Sequence, residues 1–120
     1  MKAVVAYVQM FMLEKVTDAL RNKKVHGVTV LQCRGFGRRI DGETPHYEDA
    51  EVELGYAPKA KIEVVCRDEE TPGIIRTIRE SAHTGRPGDG KIFVTEVTYA
   101  VDIRTGTEGD AVLEATQMQQ

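Results

Sequence analysis

The sequence predicts an α+β fold in which two helices lie on one face of a four-stranded antiparallel sheet. Three observations predict it. Short runs of β-branched or alternating apolar residues recur along the chain, two other stretches carry apolar residues at helical spacing, and the patterns follow one another as strand, helix, strand, strand, helix, strand. With 120 residues and 41% hydrophobic content the chain can build one core, so a single domain over 1–120 is expected.

Ala3 to Val8 is almost wholly apolar and reads as a central first strand. From Leu13 to Lys23, the residues Leu13, Val16, Ala19 and Leu20 form one face of an amphipathic helix, with Glu14, Lys15, Asp18 and Arg21 on the other. His26-Gly27 is expected to turn the chain into a second strand, where Val28, Val30 and Gln32 alternate with Thr29, Leu31 and Cys33. Between Gly35 and Pro58 glycine, charge and proline replace periodicity, which predicts a long loop; loops of that length in a compact domain are usually functional or disordered.

A third strand runs from Lys61 to Cys66, with Ile62, Val64 and Cys66 alternating against Glu63 and Val65, which turns Glu63 inward or toward a ligand. Asp68 or Thr71 can cap the next helix and Pro72 suits its first turn; Ile75, Ile78 and Ala82 mark its buried stripe, and Gly85 stands where a left-handed helix end is expected. Ile92 to Val94 opens a fourth strand, and the alternation of Val97, Tyr99, Val101 and Ile103 predicts either a long strand or an extension of it. Ala111, Val112 and Leu113 suggest a short helix in a tail with a frayed end. This order is the split βαβ arrangement of a ferredoxin-like fold. One face of such a sheet is left without helices, and its apolar positions predict an oligomer.

A net charge of −3 argues against a general nucleic-acid binder, so any anion site is local. Cys33 and Cys66 lack the spacing of a zinc or redox pair and read as buried free thiols. No signal region follows Met1 and no apolar run approaches the ~20 residues of a membrane span, so a cytoplasmic location is expected.

The most informative stretch is Thr84-Gly85-Arg86-Pro87-Gly88-Asp89-Gly90-Lys91-Ile92-Phe93-Val94. Successive N–H groups in a glycine-rich turn can form a concave nest for anionic oxygens, with a lysine at the rim as a point charge. The same residues also suit a plain helix-to-strand loop whose glycines only permit positive φ.

With Gly27-Val28-Thr29-Val30, Gly35-Phe36-Gly37-Arg38, Pro58-Lys59-Ala60-Lys61-Ile62-Glu63 and Ile103-Arg104-Thr105-Gly106, this stretch makes five collinear motifs by which the chain resembles the PII signalling proteins. The resemblance implies a cytosolic homotrimer that is no enzyme. It implies an adenine nucleotide (ADP, ATP or AMP) bound between subunits, and a T-loop, about 37–57, that contacts a protein partner such as a membrane transporter or a metabolic enzyme. Gly88, Asp89, Gly90 and Lys91, in a B-loop of about 84–91, would then cradle phosphate, with Gly37 and Arg38 closing it and Arg104 reaching in from a neighbouring subunit. Thr29 and Val65 would meet adenine, Gly27 and Glu63 the ribose side, and the tail would cover about 106–120.

Several positions depart from the family. Arg39 replaces the glutamine that holds magnesium with ATP and 2-oxoglutarate, and a guanidinium cannot ligate a cation; this argues against magnesium, although Lys59 remains as an effector contact beside Arg39. Val52 replaces the tyrosine that is uridylylated in many members, and Tyr47 aligns with a different one. Asp102 replaces a phosphate-contacting arginine, which predicts a relative gain for ADP or AMP over a triphosphate, and Gln9 replaces a lysine. These departures imply a divergent PII-like branch. The alternatives are a slow nucleotide hydrolase, for which no nucleophile and base pair stands out, and a structural or metal-binding trimer of the copper-tolerance type, for which His26, His46 and His83 lack ligand spacing.

Overall fold

The structure, a computed structural model, describes residues 1–35 and 57–115. The Gly37, Arg38 and Arg39 assignments, with those on Tyr47 and Val52, fall outside the described residues. Strands β1 (Lys2–Gln9), β2 (Thr29–Gly35), β3 (Ala57–Cys66) and β4 (Gly90–Glu96) form one antiparallel sheet in the order β2-β3-β1-β4. Helices α1 (Leu13–Asn22) and α2 (Thr71–Ala82) pack against it, and a short helix α3 (Ala111–Ala115) follows. The architecture is ferredoxin-like, as expected from the order of the patterns.

Register explains which face is which. Val4, Ala6 and Val8 of β1 pair with Val64, Ile62 and Ala60 of β3, and all six are essentially without solvent exposure. Val16 and Leu20 of α1 and Ile74, Ile78 and Ala82 of α2 close the core over them. On the opposite face, Ala3, Val5 and Tyr7 line up with Val65, Glu63 and Lys61 on one side and Thr95, Phe93 and Lys91 on the other. Leu31 on β2 and Phe93 on β4 are 49% and 53% exposed there, which is a substantial apolar surface for an isolated chain. Tyr7 and Phe93 meet edge to face at 6.3 Å.

Several boundaries differ from the sequence reading. The strand β3 starts at Ala57, inside the expected loop, because Ala57 and Pro58 pair with Gly35 and Arg34. Pairing between β1 and β3 ends at Gln9 and Lys59, so Pro58 has a neighbouring strand on one side only and is tolerated as at a strand start. The chain turns after α1 at Lys24, which takes φ +63 while the N–H of Val25 reaches the Leu20 carbonyl; His26-Gly27 is not the left-handed point.

Glu70 accepts from the Arg67 N–H at 3.0 Å ahead of α2, and the Thr71 hydroxyl donates to the Arg67 carbonyl at 3.1 Å. Ile74 rather than Ile75 heads the buried stripe. The helix ends at Ala82 with His83 extended, so Gly85, at φ +88, belongs to the following loop and not to a left-handed cap. Past β4, Val97 still donates to the Met1 carbonyl, but Tyr99 to Ile103 do not continue the sheet. They enter a reverse turn closed by the bridge Val101–Glu108 and by the Asp102 N–H on the Thr107 carbonyl. Alternation was present without a strand to pair with. Cys66 is buried as expected, whereas Cys33, on the helix-free face, is only half-buried. Among the described residues no helix is long and apolar enough to cross a membrane.

Candidate functional site

The loop between α2 and β4 is shaped from within by one carboxylate. Asp89 accepts from the Thr84 N–H at 2.8 Å, from the Gly85 N–H at 3.0 Å and from the Thr84 hydroxyl, and Thr84 Oγ1 in turn accepts from the Arg86 N–H at 3.2 Å. Partial burial works to raise the Asp89 pKa, but these hydrogen bonds outweigh it and hold the carboxyl below its usual range. Asp89 therefore staples the loop, a task better suited to a carboxylate than direct contact with an anion.

Glycine is required at two points. Gly90 has φ +116, and a Cβ there would lie 1.8 Å from the Tyr7 carbonyl oxygen, because β4 begins against β1 with Gly90 opposite Val8. Gly88 has φ +94 and a Cβ would stand 3.0 Å from Gln9 Nε2. The Gly88 carbonyl accepts two bonds, from Gln9 Nε2 at 2.7 Å and from Lys59 Nζ at 3.1 Å. Desolvation lowers the Lys59 pKa, with Asp89 and Cys33 pulling the other way. The site thus has a hydrogen-bonded glycine turn with two lysines at its edge: Lys59, reaching the Gly88 carbonyl from β3, and Lys91, exposed at the start of β4.

The sequence-selected residues fall into three groups. Gly88, Asp89, Gly90, Lys91 and Lys59 converge at one end of the sheet. Thr29 and Glu63 are cross-strand partners with Val65 next on the same face, and Gly27 leads into β2. This second group shares the helix-free face with Lys59 but lies farther along β3, about 14 Å from Lys59 to Glu63 at the usual strand rise. Arg104 sits in the turn beyond β4, a strand that leads away from the loop. There Asp102 accepts from the N–H groups of Arg104 and Thr105, both at 3.0 Å, and those bonds keep its carboxyl below the usual range; the Gly106 N–H closes the turn on the Asp102 carbonyl at 2.8 Å.

Gln9 and Thr84 carry more of the loop's geometry than their residue types announce. Thr84 stands five residues before Asp89, a spacing compatible with a side-chain staple, whereas nothing local in the sequence brings Gln9 to Gly88. No group of three or more His, Cys, Asp or Glu side chains is placed to hold a metal ion among the described residues.

The chain matches the family model described as nitrogen regulatory protein P-II over residues 1–107. It is 46% identical to the nitrogen regulatory protein P-II of Mesorhizobium japonicum over 113 residues, covering 93% of this chain and 100% of that protein. The P-II of Azospirillum brasilense is likewise 46% identical with the same coverage. The nitrogen regulatory protein P-II 1 of Escherichia coli K12 is 42% identical over 113 residues, covering 94% of this chain and 100% of its own length. A match of this extent spans the sheet, both large helices, the glycine loop and the Asp102 turn, and the chain belongs to the P-II nitrogen regulatory protein family.

Proposed function

We propose that this regulator binds an adenine nucleotide at the loop 84–91 and passes its occupancy to a protein partner through the segment of about 37–57. The observation that carries the reading is the loop itself. It is held in one shape by Asp89, by Gln9 and Lys59 on the Gly88 carbonyl, and by the close approach of Gly90 to Tyr7, with two lysines at its edge. A turn that served only to connect α2 to β4 would not need its carbonyl held by two donors from other strands. The N–H groups of Thr84, Gly85 and Arg86 point into the loop, so the backbone donors for phosphate come from Gly88 onward.

Thr29, Glu63 and Val65 on the same sheet face supply the adenosine side, Glu63 accepting from sugar hydroxyls; with Gly27 they lie at a distance from the loop suited to an extended nucleotide. Gly37 and Arg38 close the cradle, and Arg104 comes from a neighbouring copy. The exposed apolar residues Leu31, Phe93, Tyr99 and Ile103 support a homotrimer as the working form. Asp102 remains an anion beside Arg104, which favours ADP or AMP over a triphosphate. With Arg39 in place of a neutral ligand, magnesium and 2-oxoglutarate are not sensed together. The protein acts by binding and not by catalysis, in the cytoplasm, on a partner such as a transporter or an enzyme and not on nucleic acid.

Isothermal titration with ATP, ADP, AMP and cyclic AMP, each with and without magnesium and 2-oxoglutarate, tests this reading. Binding of ADP or AMP that Lys91→Ala abolishes is the expected result. No binding of any of them at millimolar concentration sinks the proposal, and tight magnesium-dependent binding of 2-oxoglutarate sinks its account of Arg39.

A further inference from the structure

Gln9 ends β1 directly opposite Lys59 of β3, and the two side chains reach the same acceptor, the Gly88 carbonyl, at 2.7 and 3.1 Å. A carbonyl oxygen has two lone pairs, so both bonds form together. Their chemistry differs. The Lys59 ammonium is partly desolvated and is attracted to any anion that enters the loop. The Gln9 amide is neutral, so its bond depends neither on pH nor on the arrival of an anion. A neutral amide is also the compatible neighbour for an ammonium at directly opposed positions, where two cations would repel.

We infer that Gln9 is a positioning residue that anchors the Gly88 carbonyl on the sheet, so that Lys59 can leave that carbonyl for an anionic group of the bound nucleotide while the loop keeps its shape. The inference rests on the reading of the loop as a nucleotide site, but the anchor itself can be tested without nucleotide. Gln9 and Lys59 are redundant donors: either alone holds the loop, and loss of both releases it.

The test is a double-mutant cycle on the full chain with Gln9→Leu, Lys59→Met and the pair, read by backbone amide chemical shifts of Gly88 to Lys91 and by ADP affinity. Each single variant is expected to keep the loop shifts near those of the parent, Gln9→Leu weakening ADP by about fivefold, the size of one ordinary hydrogen bond. The double variant is expected to move the shifts toward random-coil values and to lose more affinity than the product of the single losses. Gln9→Lys, which restores a donor, is expected to recover the loop shifts in the Lys59→Met background, which a purely packing role for Gln9 would not produce. Parent-like loop shifts in a folded double variant, or affinity losses that simply multiply, overturn the anchor. If the loop shifts follow the cycle but the parent binds no adenine nucleotide, the anchor stands and the nucleotide reading falls.

Discussion

Two turns of this molecule use the same device with different reach. In the loop 84–90 and in the turn 102–107 an aspartate carboxylate accepts N–H groups of its own segment, and each turn presents a basic residue, Lys91 or Arg104. The first is also tied to the rest of the fold, through Gln9 and Lys59 on Gly88 and through the backbone contact of Gly90 with Tyr7. The second is closed mainly on itself, by Asp102 with Thr107 and Gly106 and by the Val101–Glu108 bridge, and Ile103 at its crest is fully exposed. A side-chain cap is enough to give a turn its shape. Contacts from distant strands are needed to fix where that shape stands relative to a ligand.

The largest effect is expected at the tertiary tie. Gly90→Ala places a methyl group within the Tyr7 carbonyl and forces φ +116 on an alanine, so chemical denaturation should show a loss of about 3 kcal/mol. A variant as stable as the parent would mean that β4 can shift away from β1, and the two turns would then differ less than their contacts imply.

Asp89→Ala comes next, at about 2 kcal/mol for the lost charged hydrogen bonds, with loss of ADP binding. The sign of its pH dependence follows from the depressed carboxyl. The stabilisation is complete above the ordinary value of 3.8 and is lost as pH falls through the lower folded value, so Asp89→Asn should flatten part of the acid limb of a stability–pH curve. Asp102, also held below its ordinary range, contributes in the same direction, and only the double variant should remove both contributions.

Lys91→Ala should leave stability within about 0.5 kcal/mol, as for an exposed side chain, while removing measurable nucleotide affinity. A smaller loss of stability than at Asp89 is expected from Asp102→Ala, which loosens only its own turn. It should lower the melting temperature less than Asp89→Ala, and by removing an anion next to Arg104 it should improve ATP relative to AMP in the same titration. A larger thermal loss than that of Asp89→Ala would reverse the ranking of the two turns.

Much of this organisation is legible in the residues. Period-two alternation in Ile62, Val64 and Cys66 and helical spacing in Val16 and Leu20 report burial directly, and each of these residues is in the core. Pro72 in the first turn of α2 and the glycines of the loop are local backbone requirements and are readable for the same reason. Alternation misled at Tyr99 to Ile103, where apolar residues alternate with no strand alongside, and their surface stays exposed in the single chain. It was silent at Ala57 and Pro58, where pairing with β2 makes a strand out of residues with little strand character.

What the sequence determined by itself is which segments prefer strand or helix, because these preferences depend on interactions between near neighbours in the chain. Strand order and register were decided only in the tertiary structure. They bring Gln9, Lys59 and Gly88 from three distant segments to one carbonyl oxygen, and separate Glu63 from that oxygen along a strand they share with Lys59. The physical reason is that pairing across a sheet is chosen by the burial of whole faces, and no single residue carries the record of its partner.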